Sequence, residues 1–181
     1  LAPMAARGLV RVGVSVTTLD AGLARSLEPR CPAPARRLEV IRRLTAAGVP
    51  VRAMVSPVIP GLTDPELEPI LAACAEAGAV AASWIMLRLP REVSPLMQDW
   101  LERCVPGRAA KVMARIREVH GGRDYDPEWG RRMRGQGLWS DLIAQRFAKG
   151  VARYGLAVAQ PPLRCDLFAK PPAAGDQLAL F

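Results

Sequence analysis

Cysteine is scarce and scattered. Cys31, Cys74, Cys104 and Cys165 form no C-x-x-C pair and no zinc- or iron-site spacing, which excludes a metal module built on one loop of this chain. Lysine is nearly missing: Lys111, Lys149 and Lys170 are the lysines among 25 basic residues. The only histidine, His120, lies beside Gly121 and Gly122 and reads as a helix-end residue. No apolar run is long enough for a membrane-spanning helix, and no signal peptide opens the chain. The expectation is a cytoplasmic protein with free thiols and no membrane partner. The chain also starts at Leu1 rather than at a methionine, so a preceding segment is expected.

What is there suits a folded domain. The chain has 181 residues, half of them hydrophobic, enough for one core or a core with a small appendage. Its net charge is +8. That excess is either a bias of composition toward arginine and alanine or the footprint of an anionic partner such as nucleic acid.

The strongest local signal is VRAMVSPVIPGLTD, Val51 to Asp64. Its near-continuous apolar run predicts a strand covered on both faces. Pro57, Pro60 and Gly61 predict a turn, and Asp64-Pro65-Glu66 predicts a helix start with Asp64 as its cap. A loop at the C-terminal end of a parallel strand is where α/β proteins place their chemistry. Before it, alternating valines predict a strand over 8–18, with Ser15 and Thr17 near its end. Residues 19–34 read as irregular because of Pro29, Pro32 and Pro34. Helices are predicted over 35–47 and 65–77, closed by Gly48 and Gly78, and a third strand over 80–89, stopped by Pro90. Alternating strands and helices with short connections imply parallel pairing. From Val93 onward only helices are predicted, over 94–104, 108–119 and 140–154, then a flexible tail rich in Pro, Ala and Gly. Three parallel strands alone would leave an open edge, which points to a larger parent or a pairing partner.

Five separated segments resemble one family, in order: SVTTLD (15–20), LEPRCPAPARRLEVIRRLTAAGVPV (27–51), SPVIPGLTD (56–64), LRLPREV (87–93) and GGRDYDPEWGRRMRGQGLWSDLIAQRF (121–147). Together they resemble the second half of a radical S-adenosylmethionine (SAM) enzyme of the branch similar to spore photoproduct lyase. The resemblance implies an α/β fold, the C-terminal half of a partial (β/α)6 barrel, followed by a helical region. It implies that the parent holds a 4Fe-4S cluster and SAM at the strand ends and cleaves SAM reductively to a 5′-deoxyadenosyl radical. Carried over residue by residue, it places Ser15 and Thr17 on the SAM ribose or carboxylate, and Val58, Ile59, Pro60 and Gly61 against the adenine. The family's C-x-x-x-C-x-x-C cluster motif and its glycine-rich SAM segment have no counterpart here. No cluster is therefore expected in this chain alone, and the cofactor set belongs to a parent whose N-terminal half completes the barrel.

Two further stretches point toward DNA. Arg123, Arg131, Arg132 and Arg134 interleave with Tyr125 and Trp129, a pattern suited to phosphate contacts and base stacking, or to a loop whose arginines pair with Asp124, Asp126 and Glu128. The terminal DQLALF places Gln177, Leu178, Leu180 and Phe181 in a pattern that resembles the peptide docking bacterial repair proteins on the sliding clamp. The expected organisation is a half-barrel over 1–92, a helical region over 93–159 and a tail over 160–181. The alternative expectation is a non-catalytic DNA- or clamp-binding module.

Overall fold

The apolar run at Val51 becomes the middle strand of a three-stranded sheet in the computed structural model, which describes residues 1–171. Strands β1 (Val12–Ser15), β2 (Val51–Val58) and β3 (Ala81–Met86) lie in the order β1-β2-β3, and both pairings are parallel. Helices α1 (Ala2–Ala5), α2 (Ala21–Leu27), α3 (Pro34–Ala46) and α4 (Leu67–Glu76) belong to this first part of the chain. Helices α5 (Val93–Cys104), α6 (Pro106–Val119) and α7 (Gly137–Arg153) follow the last strand. The fold is α/β with a parallel sheet, as the alternation of patterns implies.

The middle strand is covered on one face, not two. Val51, Ala53 and Val55 are buried, while Arg52, Met54 and Ser56 are half-exposed. Arg52 and Ser56 are the polar half of an alternation that the surrounding valines disguise. Helices α3, α4 and α7 pack on the buried face, where Ile41, Leu67, Ile70, Leu71, Ile143 and Phe147 join the strand residues in one core. Phe147 meets Trp84 of β3 at a ring separation of 6.2 Å, tilted, an arrangement that adds about 0.5–1.5 kcal/mol to the area buried. A second core gathers Ile59, Leu62, Leu89, Leu101, Val112 and Ile116 under α5 and α6. The opposite sheet face carries Gly13, Ser15, Met54, Ser56, Ser83 and Ile85, and no helix packs across it among the described residues. There Met54 lies over Gly13, so close that a β-carbon at residue 13 would stand 2.7 Å from its sulfur.

The two outer edges differ. Val12 and Val16 donate to Pro50 and Met54 of the neighbouring segment, so Gly13 and Ser15 turn their N–H groups away from β2. No strand pairs there among the described residues. On β3, Met86 N–H donates to the Met133 carbonyl, and Ala82 and Ala157 form part of a short parallel bridge that covers the outer edge.

Several boundaries differ from expectation for physical reasons. Strand β1 is four residues rather than eleven: β2 begins only at Val51 and offers no partner earlier, and after Ser15 the chain turns off the sheet, where Glu28 and Glu66 hold the hydroxyls of Thr17 and Thr18. The stretch expected to be irregular contains α2, whose N-cap Asp20 accepts from Gly22 N–H at 2.7 Å and Leu23 N–H at 2.9 Å. It stops before Pro29, which explains why the proline cluster hid it. Asp64 is not a helix cap: it sits inside a short 3-10 turn, Asp64–Glu66, and its side chain turns back into the preceding loop.

Candidate functional site at the strand ends

The carboxyl end of β1 is fastened by charge. Glu28 accepts from the Thr17 hydroxyl at 3.0 Å and from Arg37 Nη2 at 2.7 Å. Arg37, largely buried, also donates to the carbonyls of Pro32 and Ser15 at 2.8 and 3.2 Å. The next turn is tied across the sheet, where Glu66 accepts from the Thr18 hydroxyl at 2.6 Å and from Leu19 N–H at 2.7 Å. The hydroxyl of Thr17 is thus committed inside the protein, whereas Ser15 stands half-buried on the open face.

The loop after β2 is a closed unit. Ile59 N–H donates to Thr63 Oγ1 at 2.9 Å, and Gly61 N–H donates to Asp64 Oδ1 at 2.6 Å. The N–H groups of Leu62 and Thr63 return to the Ile59 carbonyl at 3.0 and 2.9 Å. Pro60 has no N–H, and Gly61 takes φ +80°, a backbone shape that glycine adopts without steric cost. The loop therefore keeps these N–H donors for itself. Val58 and Ile59 are 2% and 0% exposed and Pro60 is buried; among these four residues only Gly61 reaches partial exposure. Asp64 is buried too, and desolvation raises its carboxyl above the ordinary value, against the lowering effect of Gly61 N–H and Arg146.

Beside that loop, the ends of β2 and β3 enclose a groove of about 410 Å3, lined by Ser56, Pro57, Ile85, Leu87, Arg88 and Pro90 among others. Its walls are mostly apolar. Ser56 Oγ is buried without a hydrogen-bond partner among the described residues, and Arg88 pairs with no carboxylate there. An apolar slot with a few unpaired polar groups at parallel strand ends is a usual form for a small-molecule site. Ser56, Pro57 and Leu87 lie within the segments that carry the resemblance, but no composition or spacing signal singles out Ser56. The Glu28–Arg37 and Glu66–Thr18 ties leave no such signal either, because each joins residues from separate turns.

The arginine-rich loop divides by environment. Arg123 is exposed and forms no ion pair among the described residues. Arg132 stacks on Trp129, 4.0 Å from the ring centre, and Trp129 is 79% exposed. Arg131 pairs with Asp126 at 3.1 Å. Arg134 stays exposed as a residue but lays its guanidinium over Trp84 at 4.5 Å, and partial desolvation there lowers its pKa. Asp124, a partner for these arginines in one of the two readings of the loop, accepts from Ser94 at 2.5 Å and from Arg117 at 2.7 Å, and both hold its carboxyl below the ordinary range. The peptide Gln177, Leu178, Leu180 and Phe181 lies outside the described residues.

Cys74 is buried in the core, and desolvation pushes its thiol up to about 12. Cys31, Cys104 and Cys165 are exposed on separate segments. Among the described residues no three His, Cys, Asp or Glu side chains gather as a metal site, and no helix is long and apolar enough to cross a membrane.

Comparison with known proteins gives relatives without assigned activity. Uncharacterized proteins of Mycobacterium tuberculosis and Mycobacterium bovis are each 32% identical over 150 residues, covering 82% of this chain and 40% of their own length. An uncharacterized protein of Acidianus two-tailed virus is 43% identical over 47 residues, 26% of this chain and 16% of the viral protein. No family model matches the chain. No solved structure matches it. The chain therefore spans about 40% of the length of the mycobacterial relatives that it resembles.

Proposed function

We propose that this chain is the C-terminal half of a (β/α)6 barrel in a radical SAM enzyme acting on nucleic acid, in the branch similar to spore photoproduct lyase. The observation that carries the reading is an all-parallel sheet that, among the described residues, has helices on one face only and whose open face runs to an apolar groove at the strand ends. Such a face suits the interior of a barrel that further strands complete along β1. Pro57, Ile85 and Leu87 offer flat apolar surface for an adenosyl group, and Ser56 Oγ offers an unpaired hydroxyl. Ser15 stands on the same face, at the end of the adjacent strand. Val58, Ile59 and Pro60 support that wall from within rather than line it, and Thr17 acts through Glu28.

A 4Fe-4S cluster does not fit the described residues, since its thiolate ligands must converge and Cys31, Cys74, Cys104 and Cys165 do not. In this reading the cluster ligands belong to the remainder of a longer protein, and the one electron that cleaves SAM comes from an external reductant by way of that part. The second reading, a DNA- or sliding-clamp-binding module without catalysis, is favoured by the exposed Trp129 and the half-buried Arg132 stacked on it, a pair suited to a base and its phosphate. The clamp is proposed to take the Gln177 to Phe181 peptide.

One experiment separates the readings. The full-length protein is reconstituted anaerobically with iron and sulfide, reduced, and given SAM, and 5′-deoxyadenosine is measured. The enzyme reading expects its formation, with Ser56→Leu lowering SAM affinity at least tenfold while the cluster spectrum is unchanged. A bound cluster with no 5′-deoxyadenosine and no SAM binding, alongside retained oligonucleotide binding, would establish the module instead.

A further inference from the structure

Behind the end of β3 lies a second recess, about 160 Å3, lined by His120, Gly121, Arg123, Asp126, Arg131 and Gln136. His120 is 1% exposed. Its Nε2 lies 2.9 Å from the Leu87 carbonyl, which can only accept, so Nε2 carries the proton and donates. Nδ1 is then left buried with no partner among the described residues. A buried polar atom without a partner is costly and calls for an explanation. Tyr125 packs edge-on against the imidazole at 6.3 Å and holds its orientation.

The other groups in the recess are unbalanced toward donors. Both oxygens of Asp126 are engaged, one by Glu128 N–H at 3.0 Å and one by Arg131 Nε at 3.1 Å. The guanidinium of Arg123 and the amide of Gln136 donate to nothing among the described residues. Gln136 Nε2 lies directly over Gly121, where any β-carbon would come within 2.6 Å of it, and Gly121 itself has φ +67°. Glycine at that position leaves room for the amide. Arg123 and Gln136 then bring unengaged donors to one small space, and Nδ1, an acceptor in this tautomer, becomes a third donor when an anion in the recess draws a second proton onto the ring. The complement is a compact, negatively charged group made of acceptor oxygens.

We propose that this recess binds a phosphate group, held by Arg123, Gln136 and His120 Nδ1. The idea deepens the nucleic-acid part of the proposed function and rests on that reading only for the source of the phosphate, which is either a free phosphate or a phosphodiester of a nucleic acid strand.

The single histidine makes the test direct, because the ring contributes one pair of imidazole nitrogen signals. The whole chain, labelled with 15N, is titrated with inorganic phosphate and separately with a short single-stranded DNA, against chloride at matched ionic strength. The expected result is a saturable movement of Nδ1 toward its protonated position, with affinity at least tenfold weaker in Arg123→Gln and in Gln136→Leu. Movement with inorganic phosphate alone assigns the site to free phosphate, and movement with the oligonucleotide assigns it to a phosphodiester. No saturable movement with either ligand, or equal movement in the Arg123→Gln protein, overturns the proposal. Neither SAM nor a cluster enters this titration, so its failure is separate from a failure of the enzyme reading.

Discussion

Arg146 decides how the last helix is seated. It reaches from α7 to Glu68 of α4, donating from Nε to Oε1 at 2.8 Å and from Nη2 to the second oxygen. A third nitrogen stands 3.8 Å from Asp64, in the loop after β2. The hydrogen bond from Arg146 holds the Glu68 carboxyl below its ordinary 4.5. A depressed acid stabilises the fold fully above its unfolded value, and that stability fades as pH falls through the folded value. Asp64 works the other way: its raised carboxyl adds stability below the ordinary 3.8, lost as pH rises through the folded value. Glu68 is about one-third exposed, so solvent screens its pair and the contribution stays small. Thermal unfolding followed from neutral pH down through 4.5 should show Glu68→Gln less stable at neutral pH and with a flatter acid slope. Parallel curves for the two proteins would remove Glu68 from any part in acid unfolding.

Between elements, the α3–α4 contact depends on a missing side chain. Gly78 follows the end of α4 with φ +99°, and a β-carbon there would lie 2.7 Å from Thr45 Cγ2 on α3. The Thr45 hydroxyl donates to the Gly78 carbonyl at 3.1 Å. Gly78→Ala combines left-handed strain with this collision and should cost about 2 kcal/mol in urea unfolding. Thr45→Ser removes the offending methyl and should recover part of the loss in the double variant; a strictly additive pair would mean that the collision relaxes elsewhere. Both glycines that close helices in the sequence, Gly48 and Gly78, sit where the pattern places them, because a helix end is a local event. The long amphipathic helices α3, α6 and α7 were legible for the same reason. The covered and open faces of the sheet were less so. Arg52 and Ser56 carry the alternation, yet Val51, Val55 and Val58 around them read as continuous burial. The candidate site was legible as a place, the ends of the strands, and not as residues. The ties that shape it, such as Glu66 to Thr18, join positions 48 apart and leave no local trace.

At the scale of the molecule, the sheet is finished on one side and unfinished on the other. Among the described residues the outer N–H groups of Gly13 and Ser15 face no strand, while Ala157 and Met133 engage the far edge of β3 at Ala82 and Met86. In the full-length protein the open side is proposed to receive the preceding strands of the barrel. The isolated chain should instead pair with itself across that side, because an exposed edge is a template for another strand. Light scattering across a concentration series should therefore find monomer and dimer and nothing larger. Oligomers that keep growing with concentration would show that the covering of β3 opens in solution.

The consequence of the covered β3 edge is one of stoichiometry. A sheet with two free sides copies itself end to end without limit, and the product is a fibre. A sheet with one free side has a valence of one. When two such sides meet about a twofold axis, each satisfies the other and no binding surface remains. By engaging the Ala82 and Met86 N–H groups, the carbonyls of Ala157 and Met133 act as a chain terminator against growth along β3.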